Sequence, residues 1–303
     1  MTTAPPAMPV PPARAAGRWG VLAQDIKISH TVFAMPWAVL STFMAAGGAP
    51  RIGQLGLILL CMVTARTVAM AANRLLDAEL DKLNPRTARR AIPSGALSRG
   101  FYTMTLLGCA AAFVSATAGF WFFYGNAWPV ALSVPVLLFL CGYPLLKRFT
   151  RLCHYYLGAA LALAPVCAWI AISGSLAPPP LWMAAAVLCW TAGFDIIYAC
   201  QDFESDRATG VFSVPARVGI GPALWVARLT HVLCVAMLIA LGVSSPYLGT
   251  LYWIGVGVAV LLLTIEHLMV KPTDLSKVGL AFFTVNGAIS VLIGVLGIAD
   301  VFL

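Results

Sequence analysis

Apolar residues run along this chain in long, nearly unbroken stretches, and polar residues gather in short intervals between them. A run of about 18 or more apolar residues is long enough to cross a bilayer as a helix. Nine such segments are predicted, at about 31–48, 54–76, 101–123, 128–146, 154–173, 180–200, 221–243, 249–270 and 279–300. Each should be helical, because lipid offers no partner to an unpaired backbone amide or carbonyl. The fold class that follows is an all-α integral membrane protein with nine transmembrane helices.

The polar intervals carry a second pattern. Lys82, Arg86, Arg89, Arg90 and Arg99 follow the second segment, and Lys147, Arg148 and Arg151 follow the fourth. Arg207 and Arg217 follow the sixth, and Lys271 and Lys277 the eighth. The intervals after segments three, five and seven hold no Lys or Arg, and Arg51 is the exception after the first. The positive-inside rule then places the N-terminus and the even-numbered exits in the cytosol.

Composition supports this class. Of the 303 residues, 61% are hydrophobic and 10% charged, against about 25% charged in soluble domains. Residues 1–19, rich in Pro and Ala, are expected to form a disordered cytosolic tail, and residues 20–303 the membrane domain. The net charge of +8 is assigned to cytosolic loops facing anionic lipid, not to nucleic acid. The eight cysteines show no CxxC spacing and read as small apolar residues. The four histidines share no metal spacing; His154 and His267 look interfacial, and His30 sits at the mouth of the first segment.

Acidic residues change the picture most. Seven of the eleven fall in two short stretches: Asp77, Glu79 and Asp81, then Asp195, Asp202, Glu204 and Asp206. Acids at membrane depth are costly and usually functional. Asn73, Asp77 and Asp81 recur at i, i+4 and i+8, which on a helix puts three oxygen-bearing side chains on one face about 6 Å apart. Tyr198, Asp202 and Asp206 repeat the spacing at the end of the sixth segment, with Asp195 two turns deeper. Like charges one turn apart repel unless a cation lies between them. Mg²⁺ suits such pairs, since it takes a few carboxylates and completes its shell with phosphate oxygens and water. The two pairs are offset by the same number of residues and separated by four segments, consistent with a duplicated four-helix unit plus one helix. Basic residues nearby fit a diphosphate: Arg66 and Arg74 on the second segment, and Lys147 and Arg148 after the fourth. Arg66 lies deep in an apolar segment, where an arginine needs a partner.

At these residues a family resemblance emerges. The run NxxxDxxxDxxNPRTxxR from Asn73, followed by Ile92-Pro-Ser-Gly95, resembles the first signature of the UbiA superfamily of membrane prenyltransferases. The run DxxYxxQDxxxDRxxG from Asp195 to Gly210 resembles its second, and Tyr143 to Thr150 its loop after the fourth helix. Arg90 is followed by Ala91 where many relatives have proline, a departure expected to touch only loop stiffness. The stretches Ile26–Pro36 and Gly210–Arg217 look closer to the UbiA-like enzymes of the futalosine menaquinone route than to the ubiquinone branch, so either a dihydroxynaphthoate-type or a 4-hydroxybenzoate acceptor fits.

The resemblance implies nine helices around a central cavity in a bacterial inner membrane. It implies Mg²⁺ held by Asp77, Asp81, Asp202 and Asp206, with the diphosphate of a polyprenyl diphosphate met by Asn73, Arg74, Lys147 and Arg148. Asp195, Tyr198 and Arg66 would face the reacting groups, Asp195 either as base or as cation stabiliser. The implied reaction is transfer of a polyprenyl group to an aromatic acid in quinone biosynthesis. Other acceptors (a porphyrin, a chlorin or a sugar phosphate) are the alternative within the family, and a transporter with intramembrane acids the alternative outside it. A CDP-alcohol phosphotransferase is disfavoured because its DG…AR stretch is missing.

Overall fold

The computed structural model describes residues 17–27, 31 and 33–303. Apart from an isolated bridge between Lys271 and Asp274, regular structure among them is helical. In chain order the helices are α1 Arg18–Asp25, α2 Met35–Ala46, α3 Ile52–Leu83, α4 Arg99–Tyr124, α5 Trp128–Leu146, α6 Cys153–Ser173 and α7 Pro178–Ala199. There follow α8 Phe203–Thr209, α9 Val214–Val218, α10 Ile220–Ser244, α11 Thr250–Met269, α12 Val278–Leu280 and α13 Asn286–Asp300. Among the described residues, eight helical stretches are long and apolar enough to cross a membrane, taking α7 with α8 and α12 with α13 as continuous units.

The first predicted segment, 31–48, is the short helix α2. Its 12 residues reach about 18 Å, less than the ~30 Å hydrocarbon layer. Pro36 in its first turn and left-handed Gly47 at its end fix its bounds. Burial makes α2 as apolar as a spanning helix: Trp37, Ala38 and Leu40 are sealed off. Ser41 Oγ donates to the Pro165 carbonyl of α6 (2.6 Å), and Ser290 of α13 donates to the Phe33 carbonyl (3.0 Å).

Two helix sets flank α2. In one, α3 packs on α4 and α5, and α5 on α6; in the other, α7 packs on α10, and α11 on α13. The sets meet along α6 and α7. Gly158 permits that approach, because a Cβ there would overlap the Leu188 carbonyl. The second set is tied together by buried polar groups. Trp190 Nε1 donates to Asn286 Oδ1 (2.7 Å), and Asn286 Nδ2 donates to Glu266 Oε1 (2.7 Å). His231 lies 2.9 Å from His267 and 3.2 Å from the Trp190 carbonyl, in space left by Gly193.

Helix α3 is the longest at 32 residues, about 48 Å. One end must therefore overrun the apolar layer, and the charged residues from Asp77 to Lys82 mark it. Helix α7 gives way to a 3-10 turn, Cys200–Asp202, before α8. The uniform i, i+4, i+8 face expected for Tyr198, Asp202 and Asp206 is therefore broken at Asp202.

The tail expected through residue 19 needs a new boundary. Residues 1–16 lie outside the described residues, as does His30, but Arg18 and Trp19 belong to α1. Leu22 and Ile26 bury against Ala71, Ala91, Leu97 and Tyr102, and Asp25 forms a buried ion pair with Arg74. An apolar stripe of two residues is too short to register as a helical period, so the helix is silent in the sequence.

Candidate active site

The end of α3, the loop 84–90, the end of α5, the start of α6 and the α7–α8 junction enclose a cleft of about 170 Å³. Asn73, Asp77, Asp81, Lys147, Asp195, Tyr198, Asp202 and Asp206 all line it. Both acidic motifs therefore converge on one space.

Within it, three of the four motif carboxylates meet a cation. Asp77, fully buried, accepts from Lys147 Nζ (2.6 Å) and Asn73 Nδ2 (2.9 Å) through Oδ2. Asp81 accepts from Arg90 Nη1 at 2.8 and 2.9 Å. Asp202 accepts from Arg86 Nε (2.8 Å) and Nη2 (2.6 Å), and from Asn84 Nδ2 (2.8 Å). Arg86 also donates to the Tyr198 hydroxyl (3.0 Å). Burial alone would lower the Arg86 pKa, but the bonds and charge of Asp202 outweigh it and hold it above the usual value. Asp206 has no ion pair among the described residues.

Asp77 Oδ1 is buried without a hydrogen-bond partner, an exception that calls for an ion, a water or a ligand. Among the described residues no three His, Cys, Asp or Glu side chains gather closely enough to cage a metal alone. Such a donor set suits a hard cation that draws its remaining oxygens from a phosphate ligand.

Deeper in the cleft, His154 Nδ1 lies 2.7 Å from Asp195 Oδ2, and the Val214 amide donates to His154 Nε2 (3.1 Å). His154 is thus buried and bonded on both nitrogens, not interfacial as its position suggested.

Three predicted site residues lie elsewhere. Arg74 turns away from the cleft: Nε donates to Asp25 Oδ2 (2.8 Å), Nη2 to the Asp25 carbonyl (2.6 Å) and Nη1 to Asn73 Oδ1 (2.7 Å). It reaches the site only through Asn73. Arg148 is exposed and donates to the Leu76 carbonyl of α3 (2.5 Å), outside the cleft. Arg66 borders a second cavity of about 190 Å³, lined mainly by apolar side chains of α3, α4, α5 and α6. It donates to the Lys27 carbonyl (3.2 Å) and has no acidic partner among the described residues. Tyr143 lines both cavities and so marks where they meet. From Pro129 to Tyr143 along α5, the apolar chamber extends about 21 Å.

Fold and site together define a polytopic membrane protein whose acid-rich cleft adjoins an apolar chamber at Tyr143. The chain belongs to the UbiA prenyltransferase family, whose profile matches residues 34–288. It is 32% identical over 201 residues to the mitochondrial 4-hydroxybenzoate polyprenyltransferase of Caenorhabditis elegans, covering 66% of this chain and 55% of that one. It is 28% identical over 259 residues to the 4-hydroxybenzoate octaprenyltransferase of Pseudoalteromonas translucida, covering 82% and 85%. A UbiA homologue from Aeropyrum pernix K1, solved in its apo form, superposes with a TM-score of 0.80 at 30% identity, covering 90% of this chain and 98% of that one. A homologue from Archaeoglobus fulgidus bound to GPP and Mg²⁺ shares the fold, with a TM-score of 0.66 at 18% identity over 93% of this chain and all of that one. The protein is therefore a multi-span membrane enzyme, a prenyltransferase of the UbiA type.

Proposed function

We propose that this enzyme transfers a polyprenyl group from a polyprenyl diphosphate to an aromatic acid of the 4-hydroxybenzoate or hydroxynaphthoate type, in a Mg²⁺-dependent step of respiratory quinone biosynthesis. The observation that carries this reading is the meeting, at Tyr143, of a cleft rich in acids and bases with an apolar chamber. A diphosphate needs the first and an isoprenoid tail the second. The names of the curated relatives support 4-hydroxybenzoate as acceptor, and the Archaeoglobus homologue supports a prenyl diphosphate with Mg²⁺.

Asp77, Asp81, Asp202 and Asp206 would hold Mg²⁺, with Asn73 as a neutral neighbour. When bound, the metal neutralises charge on the leaving diphosphate. Lys147, Arg86 and Arg90 add fixed positive charge on the same leaving group and lower the barrier to breaking the allylic C–O bond. Arg74 and Arg148 are set aside as diphosphate ligands, because neither lines the cleft. The apolar chamber keeps water from the allylic cation, and Tyr198 stands at the cleft wall with Arg86 over its ring. Arg66, at the chamber edge and without an acidic partner among the described residues, offers a cation to an anionic substrate group. The Lys and Arg distribution supports a cytosolic opening in a bacterial inner membrane, with the lipid bilayer as the route for the tail.

Membranes containing the enzyme, supplied with radiolabelled prenyl diphosphate and either 4-hydroxybenzoate or a dihydroxynaphthoate, test the acceptor class. Prenylation of one of these acids is expected. Label appearing only on a porphyrin, a chlorin or a sugar phosphate would move the enzyme to another branch of the family.

A further inference from the structure

We infer that His154 is a positioning residue that holds Asp195 as the proton acceptor for the alkylated ring, an inference that rests on the aromatic acceptor proposed above. The geometry of the pair carries it. The Val214 amide donates to His154 Nε2 (3.1 Å), so that nitrogen presents a lone pair and the ring proton sits on Nδ1. Nδ1–H then donates to Asp195 Oδ2 (2.7 Å). A second ring proton would break the Val214 bond, so the hydrogen-bond geometry is that of the neutral imidazole.

That neutrality separates Asp195 from Asp77, Asp81 and Asp202. Each of those three is bonded to Lys147, Arg90 or Arg86. Asp195 is oriented by a neutral donor instead, and among the described residues no fixed cation bonds to it. Its side chain is 19% exposed, and it lines the cleft beside Tyr143 and Tyr198, near the meeting point of the two cavities. A carboxylate there can be aimed precisely and still accept a proton.

The step balances as follows. After the allylic cation has bonded to the ring, the C–H bond at the alkylated ring carbon breaks. Its electron pair returns to the ring and restores aromaticity, and the proton passes to the Asp195 carboxylate. Asp195 later releases that proton to solvent through the cleft.

The test compares His154→Leu and His154→Gln in the full-length enzyme, with acceptor deuterated at the reacting ring carbon. Leucine removes both hydrogen bonds, whereas glutamine can donate to Asp195 and accept from Val214. In the leucine variant kcat should fall by about 100-fold, KM for the prenyl diphosphate should hold, and a primary deuterium isotope effect larger than the parent's should emerge. Glutamine should recover most of the loss. If the leucine variant does not fold, His154→Asn, too short to reach both partners, takes its place. A fall in kcat with no change in the isotope effect would overturn the inference and make Asp195 a cation stabiliser or His154 a purely structural residue. Absence of aromatic prenylation in the parent enzyme would instead sink the proposed function.

Discussion

Replacing Arg74 with glutamine should cost stability, not diphosphate affinity. Arg74 is 2% exposed and Asp25 9%, so the pair is effectively out of water. Asp25 also accepts from the Tyr102 hydroxyl (2.5 Å) and the Ala91 amide (3.0 Å), joining α1, α3, the loop before α4 and α4 itself. Removing one member of a buried pair leaves the other charge uncompensated, at about 3–5 kcal/mol. Replacing both with Asp25→Asn and Arg74→Gln should recover part of that loss, because no buried charge is then stranded. Thermal unfolding in detergent reads the stability, and KM for the prenyl diphosphate reads the affinity. A tenfold or greater rise in KM with unchanged thermal stability would refute the assignment and return Arg74 to the diphosphate. Acid sensitivity gives an independent check. Burial alone would raise the Asp25 pKa, but the Arg74 charge and the Tyr102 and Ala91 hydrogen bonds outweigh it and hold it below the ordinary value of 3.8. The contribution of Asp25 is therefore complete above 3.8 and lost as pH falls through the lower folded value. Asp25→Asn should remove that part of the acid-induced loss, and an unchanged acid profile would contradict it.

Gly193→Ala should destabilise the second helix set, because the added Cβ overlaps the His231 ring. A cost of about 1–3 kcal/mol is expected, with an unchanged KM for prenyl diphosphate; full thermal stability would show that the His231 network can shift. Lys147→Gln should leave Asp77 buried without its cation. It should lower kcat more than it raises KM, because the lysine charge is assigned to the leaving diphosphate; an unchanged kcat would remove Lys147 from that role.

The long spanning helices were legible because each carries a run of apolar residues that only a bilayer-sized helix explains. The same signal marks α2 too, but does not report its shortness, since a 12-residue helix with Trp37, Ala38, Leu40 and Met44 buried is as apolar as a longer one. The two aspartate pairs were legible because acids are so scarce here, and both do converge on the cleft. Their partners were harder to read. Arg74 finds Asp25 and His154 finds Asp195 across long stretches of sequence, and no local spacing reports either contact. Arg86 and Arg90 stood in a loop where positive charge was already explained by topology, so their ion pairs with Asp202 and Asp81 carried no separate mark. The turn that breaks the second motif at Cys200–Asp202 contains neither glycine nor proline. The bond that sets the His154 tautomer comes from a backbone amide, which no side-chain pattern reveals.

The most direct measurement is prenyl transfer by Asp77→Ala and Asp202→Ala in membranes, with and without Mg²⁺, using the acceptor that the parent enzyme prenylates. Both acids line one cleft and are assigned to one cation, so each variant should lose about 100-fold or more in rate. The parent should lose activity equally when Mg²⁺ is chelated and regain it when the metal is restored. Undiminished transfer in either variant, or a parent indifferent to chelation, would contradict a shared metal–diphosphate site.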